Sequence, residues 1–197
     1  MSTKKRNRGR PRSFDPNQAT QVALRLFWEK GYDGVGISEL SSAIGVNPPS
    51  LYAAFGSKSA LFKRATRLYA EQEGRFVGDT LSQESDPIKG IEKLLQEASR
   101  VYVRLPECRG CLVIEAAKNC SDREVKVFLR DLRLETKAAL KSYLLPLGAE
   151  KARPLANFVM LLMSGLSSRA KDGEGLETLL SAAEIGFRGF CDYLSSS

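Results

Sequence analysis

Three cysteines crowd one short stretch, Cys108, Cys111 and Cys120, and a fourth stands apart at Cys191. A Cys-x-x-Cys spacing can bring two thiols to one metal ion or to each other. Three chemistries are open to this set. The thiols can be ordinary core residues, because cysteine packs as a small apolar side chain. They can sense oxidants or electrophiles, with Cys108, Cys111 and Cys120 as redox candidates. Cys111 leads that set because Arg109, two residues away, would favour a thiolate. They can hold zinc, which needs a fourth ligand from Cys191, Glu115, Asp122 or water. The chain contains no histidine. That removes the commonest zinc ligand and rules out a Ser-His-Asp or Cys-His nucleophile within one chain. No HExxH, Walker, dinucleotide or zinc-deaminase pattern is present. We therefore expect no enzyme, no cofactor and no bound metal.

A second set of residues suits nucleic acid. The first 68 residues carry twelve basic and four acidic side chains, and the rest is close to neutral, for a formal total of +7. Such a split points to a polyanion partner for the N-terminal part alone. Arg8, Arg10 and Arg12 sit in a polar segment rich in Gly and Pro. Its composition predicts disorder over residues 1–13 in the absence of a partner. Arg8-Gly9-Arg10-Pro11 resembles the AT-hook core, which lies in a narrow, strongly negative minor groove.

Residues 14–60 must position whatever reads the groove. Asp15 and Pro16 open a helix that Gly31 ends near Lys30, with Ala19, Val22, Ala23, Leu26 and Phe27 as its apolar stripe. A second helix spans Ile37–Ile44. Gly36 is its cap, and Glu39 is spaced to reach back to the cap N–H. Gly45 stops that helix and Val46 plugs the turn. Asn47 then caps a third helix, in which Pro48 and Pro49 suit the first turn. Leu51 and Phe55 face inward, four residues apart. Pro48, Pro49, Ser50, Ala53 and Ala54 face outward, a small surface that permits close approach to base edges and thymine methyls. Tyr52 and Lys58 suit phosphate contacts. Ser57 caps the next helix.

Residues 16–64 resemble the N-terminal domain of the TetR/AcrR family of bacterial regulators. The resemblance rests on Ala23, Phe27, Gly31-Tyr32, Ile37, Leu40, Ala43, Gly45-Val46, Ser50-Leu51-Tyr52, Phe55, Ser57-Lys58 and Leu61-Phe62. It implies a homodimer on a palindromic operator in double-stranded DNA, acting as a repressor released by a small molecule. It places the recognition helix at Pro48–Phe55 and phosphate contacts at Tyr52, Lys58 and the start of the second helix. Gly36 departs from the Ser or Thr usual in the family, and Ser38 is the nearest substitute.

Residues 61–197 read as an all-α body for ligand binding and dimerisation. One connecting helix is expected from Lys58 to Phe76, and another from Pro87 to Leu105. A short buried helix over 111–118 and a long one over 122–145 follow, the latter with Lys126, Arg130, Asp131, Arg133, Glu135, Lys137 and Lys141 on a solvated face. Wide apolar faces on 151–170 and 176–194 suggest a four-helix dimer interface. The rival reading closes both faces into a monomeric core. An apolar effector pocket is expected among Leu94, Ala98, Tyr102, Val113, Ala117, Phe128 and Phe158. An effector there would tilt the connecting helix and change the separation of two recognition helices held roughly 34–36 Å apart. No apolar run reaches a membrane span and no signal sequence is evident, so a cytoplasmic protein with reduced thiols and no membrane partner is expected. Thiol-based sensing through Cys108, Cys111 and Cys120, and non-specific architectural DNA binding, are the alternatives.

Overall fold

The computed structural model describes residues 14–196, so Arg8, Arg10 and Arg12 and the minor-groove arm lie outside the described residues. Among the described residues there are ten α-helices, of which the first five are α1 Pro16–Lys30, α2 Ile37–Ile44, α3 Pro48–Phe55, α4 Lys58–Gln72 and α5 Phe76–Gln83. After them come α6 Pro87–Val103, α7 Leu112–Lys118, α8 Arg123–Leu144, α9 Ala149–Lys171 and α10 Leu176–Ser195, with a single 3-10 turn at Leu145–Leu147. The fold is an N-terminal helix-turn-helix region followed by a larger helical bundle.

Local chemistry sets most helix ends. The Asp15 carboxylate accepts from the Asn17 amide at 2.8 Å, and Asp122 accepts from Glu124 and Val125 at 2.9 and 3.1 Å. Each satisfies amides that have no partner inside the helix. Gly45 takes φ +78°, the left-handed conformation that lets the chain turn sharply from α2 toward α3.

Two expectations fail here. Glu39 does not reach back to the α2 cap; its carboxylate accepts from Lys30 Nζ at 2.5 Å, and Gly36 leaves α2 without a side-chain cap. The charged partner across the turn outcompetes a neutral amide. Nor is the connecting helix continuous to Phe76. It stops at Gln72, where the Gly74 amide donates back to the Tyr69 carbonyl at 2.9 Å, and α5 begins at Phe76.

Two apolar cores result. The first joins α1–α4 to α7 and the start of α8, and includes Phe27, Trp28, Leu40, Phe62, Tyr69, Leu112 and Leu129. The second joins α6, the end of α8, α9 and α10. Cys111 packs at the edge of both. The first core therefore runs across residue 60: the helices that present α3 share their interior with α7 and α8.

Candidate nucleic-acid interface and the cavity behind it

Leu51 anchors α3 in the first core, and the rest of the helix is turned outward. Asn47, Pro48, Pro49, Tyr52, Ala53 and Ala54 are exposed, whereas Ser50 and Phe55 are half-buried. The Asn47 side-chain oxygen accepts from the Ser50 amide at 2.9 Å, so that oxygen is engaged in capping and only the side-chain amide N–H donors stay available. Ser38 is exposed at the second position of α2. The exposed side chains are mostly small and include the first turn of α3, a form suited to a major groove.

Lys58 begins α4 with its ammonium 4.2 Å from the centre of the Tyr32 ring. Burial pushes its pKa down, opposed by Asp33 and Asp122. The Tyr32 hydroxyl in turn donates to Asp122 at 3.0 Å. Lys58 thus belongs to a relay from the foot of α4 to the cap of α8, besides any contact it makes with phosphate. Burial, and then the Asp122 bond, push the Tyr32 hydroxyl well up. Asp122 is held below the usual carboxylate range, first by the Val125 amide.

The loop from residue 105 through α7 grips the helix-turn-helix region. Trp28 Nε1 donates to the Gly110 carbonyl at 2.9 Å, and the Asp33 carboxylate accepts from the Ser121 amide at 2.5 Å. Lys171, at the end of α9, donates to the Trp28 and Glu29 carbonyls at 3.1 and 2.8 Å, closing the C-terminus of α1. The other side of this loop holds the body: the Cys111 amide donates to Ser167 Oγ at 2.9 Å, and that hydroxyl donates to Glu115 at 2.6 Å.

Directly behind lies a cavity of about 220 Å³, bounded by α4, α5, α6, α7, α8 and α9. Its wall is apolar apart from the Tyr69 and Tyr102 hydroxyls, the Cys111 thiol, Arg133, Glu135 and Thr136. Of the seven residues expected to form an effector pocket, Tyr102 and Val113 line this space. Leu94 and Ala98 are fully buried within the second core. Ala117 and Phe128 pack on the first core, and Lys63 and Arg67 cover the Phe128 ring. Phe158 packs on the second core, against the Gly189 backbone. Periodicity identified apolar positions, but not which of them border a void.

Arg133 departs most from expectation. It does not belong to the solvated face of α8; it is half-buried, and its guanidinium donates to the Val113 carbonyl at 3.1 Å. A signal for it exists. On α8 the buried stripe steps from Leu129 to Leu140 through positions 133 and 136, and there Arg and Thr replace leucine. Tyr69 was also missed as a site residue. Its hydroxyl is buried and makes no well-aligned hydrogen bond, and its ring meets Trp28 edge-on at 4.7 Å.

The cysteines do not form a centre. All four are free, and among the described residues no group of three or more His, Cys, Asp or Glu is placed to hold a metal ion. Burial pushes every thiol up. The support expected from Arg109 for a Cys111 thiolate is absent, because Arg109 donates to the Glu174 carbonyl at 3.2 Å. Cys108 and Cys120 sit in the first core with their thiols near the Arg25 and Asp122 carbonyls. Among the described residues no helix is long and apolar enough to cross a membrane.

An outward second helix on a capped turn, carried by a larger helical bundle, defines a helix-turn-helix regulator. Residues 20–65 match the family described as bacterial regulatory proteins, tetR family. The chain belongs to the TetR/AcrR family of bacterial transcriptional regulators, whose members are DNA-binding proteins and not enzymes. It is 35% identical over 187 residues to the HTH-type transcriptional repressor BdcR of Escherichia coli (strain K12), covering 94% of each chain. It is 27% identical over 200 residues to the HTH-type transcriptional repressor ComR of the same organism, covering 93% of this chain and 92% of ComR. Among solved structures, one is a cysteine mutant of the TetR family transcriptional regulator CifR, complexed with 26 bp double-strand operator DNA and apo-CifR. It matches with a TM-score of 0.81 at 35% identity, over 91% of this chain and 98% of that one.

Proposed function

We propose that this regulator is a cytoplasmic homodimeric repressor that binds a palindromic operator and is released when a small molecule enters the cavity behind α7. The observation that carries the reading is the placement of one loop. Trp28 of the helix-turn-helix region bonds to Gly110, and Cys111, Val113 and Ile114 just beyond it line the cavity. A ligand that displaces this wall acts on α1 directly, a route additional to tilting α4. BdcR is a transcriptional repressor and CifR binds operator DNA, which supports the same direction. In this reading residues 14–60 contact DNA, with the arm of residues 1–13 alongside, and residues 61–197 carry the effector and the dimer, although the first core joins the two parts physically.

The partner copy is proposed to dock on α9 and α10 over residues 151–170 and 176–194. Leu161 and Ile185 are 69% and 68% exposed there, and a side chain added at Gly165 would meet nothing of the same protomer. Apolar exposure of that extent on neighbouring helices marks an interface. Leu161→Glu is expected to convert the dimer to monomer in sedimentation, with loss of operator binding; an unchanged sedimentation coefficient would move the interface elsewhere.

The test of function is selection of duplexes from a random pool, without effector. An enriched inverted repeat supports the repressor reading. Tight, salt-sensitive binding without enrichment points to the architectural alternative. Thiol sensing keeps one favourable observation, the place of Cys111 on the cavity wall, against the raised pKa of each thiol.

A further inference from the structure

The cavity holds an imbalance. Arg133 brings a guanidinium to an apolar wall, and no ion pair of this side chain occurs among the described residues. Only one of its N–H groups is engaged, on the Val113 carbonyl. Burial pushes its pKa down, opposed only by the Cys111 thiol. An arginine stays charged even so, because its ordinary value is so high. Glu135, the carboxylate of the lining, is exposed and is not paired with Arg133. Tyr69 adds a buried hydroxyl that makes no well-aligned hydrogen bond, although the Cys111 thiol and the Leu112 amide lie close to it. Tyr69, Cys111 and Arg133 all line this one cavity.

An unpaired guanidinium and a buried hydroxyl on one apolar wall call for an explanation. We infer that the cavity binds a small amphipathic anion, an aromatic or short aliphatic carboxylate. Its head accepts hydrogen bonds from Arg133 and Tyr69, and its body lies against Phe76, Leu132, Met160 and Met163. This assignment rests on the reading of the cavity as the effector site. Three considerations favour an anion. A cation would meet the unpaired guanidinium of Arg133, and the one carboxylate of the lining, Glu135, is an exposed residue. A neutral apolar ligand would strip water from Arg133 and leave its N–H groups unmatched. A carboxylate takes two parallel N–H donors from one guanidinium, the geometry in which arginine binds best. Size narrows the class. A cavity of about 150 Å³ takes benzene, so about 220 Å³ suits roughly ten non-hydrogen atoms, the size of phenylacetate or octanoate.

The test is calorimetric titration of the full-length protein with phenylacetate, 3-phenylpropanoate and octanoate, each paired with its primary amide, and with toluene as an uncharged probe. At least one acid is expected to bind about tenfold or more tightly than its amide, as for a hydrogen bond to a charged group. Arg133→Gln is expected to erase that preference, and Arg133→Lys to keep part of it. Amides that match the acids, or an acid affinity indifferent to Arg133→Gln, overturn the anion assignment. Toluene binding in the absence of acid binding also overturns it, while the cavity remains a ligand site. Failure of acids, amides and toluene alike overturns both the assignment and the effector reading. Should Arg133→Gln not fold, the acid-to-amide ratio of the wild type and the behaviour of Arg133→Lys decide the matter.

Discussion

The outward helix α3 and the cavity behind α7 make opposite demands on the chain. At α3 the useful residues are the ones left over: once Leu51 is buried and Asn47 has capped the helix, the remaining side chains face water by default. At the cavity the useful residues are polar groups forced inward, Tyr69 and Arg133, on a wall that apolar side chains would stabilise better. A groove-reading surface therefore comes almost free of folding cost. The cavity wall instead carries polar groups and a void, which cost stability. The two are nonetheless one structure, because Trp28 touches Tyr69 on one side and Gly110 on the other.

That unity can be broken most forcefully at Phe62. Its ring is fully buried in the first core, edge-on to Phe27 and Tyr32 at 5.0 and 5.2 Å. Phe62→Ala is expected to cost about 3–5 kcal/mol through lost burial and a residual void. Because this core extends into α7 and α8, calorimetry should show one transition displaced as a whole. Two resolved transitions, with only the earlier one shifted, would mean that the helix-turn-helix region folds apart from the body.

Asp122 joins the two regions more gently. It caps α8 with two amide bonds and accepts the Tyr32 hydroxyl. Asp122→Ala is expected to cost about 1–2 kcal/mol at neutral pH. The dependence on acid has a definite sign. The folded pKa of Asp122 is depressed, so its stabilisation is present above the ordinary carboxylate value and is lost as pH falls through the folded one. The stability gap between wild type and Asp122→Ala should narrow when urea melts are taken at pH 7, 5, 4 and 3. A gap that widened with acid would contradict the capping role.

Asn47 bears on α3 alone. With one capping bond and an exposed position, Asn47→Ala is expected to cost about 0.5–1 kcal/mol, a melting shift of only a few degrees for a chain of this size. Operator affinity should fall more than that, by about tenfold, if the fraying turn is the one proposed to meet the groove. Equal small losses in stability and in binding would show that the start of α3 is not a contact surface.

These contrasts also account for what could be read in advance. Asp15, Gly31, Gly45, Asn47 and Ser57 determine helix ends through bonds spanning only a few residues, so α1–α3 and the start of α4 fall where local rules put them. Glu39 escaped those rules because Lys30, nine residues away, competes for it. The cavity was illegible for a stronger reason. Leu94, Phe128 and Arg133 differ in role only through which helix lies opposite, and α4, α5, α6, α7, α8 and α9 must all be placed before a gap among them exists. An apolar stripe says that a residue is inside. It does not say whether the inside is filled.

The smallest expected effect separates the two regions most cleanly. Tyr69→Phe removes a hydroxyl that makes no well-aligned hydrogen bond, so stability should change by less than about 1 kcal/mol and in the stabilising direction, since a buried unpaired donor disappears. The ring and its contact with Trp28 are retained. Trp28 is the only tryptophan in the sequence, so its fluorescence reports on that contact without labelling. The unliganded emission of Tyr69→Phe should match the wild type. A clear loss of stability would show instead that the hydroxyl has a partner in the folded protein, and that the cavity wall is already satisfied before any ligand arrives.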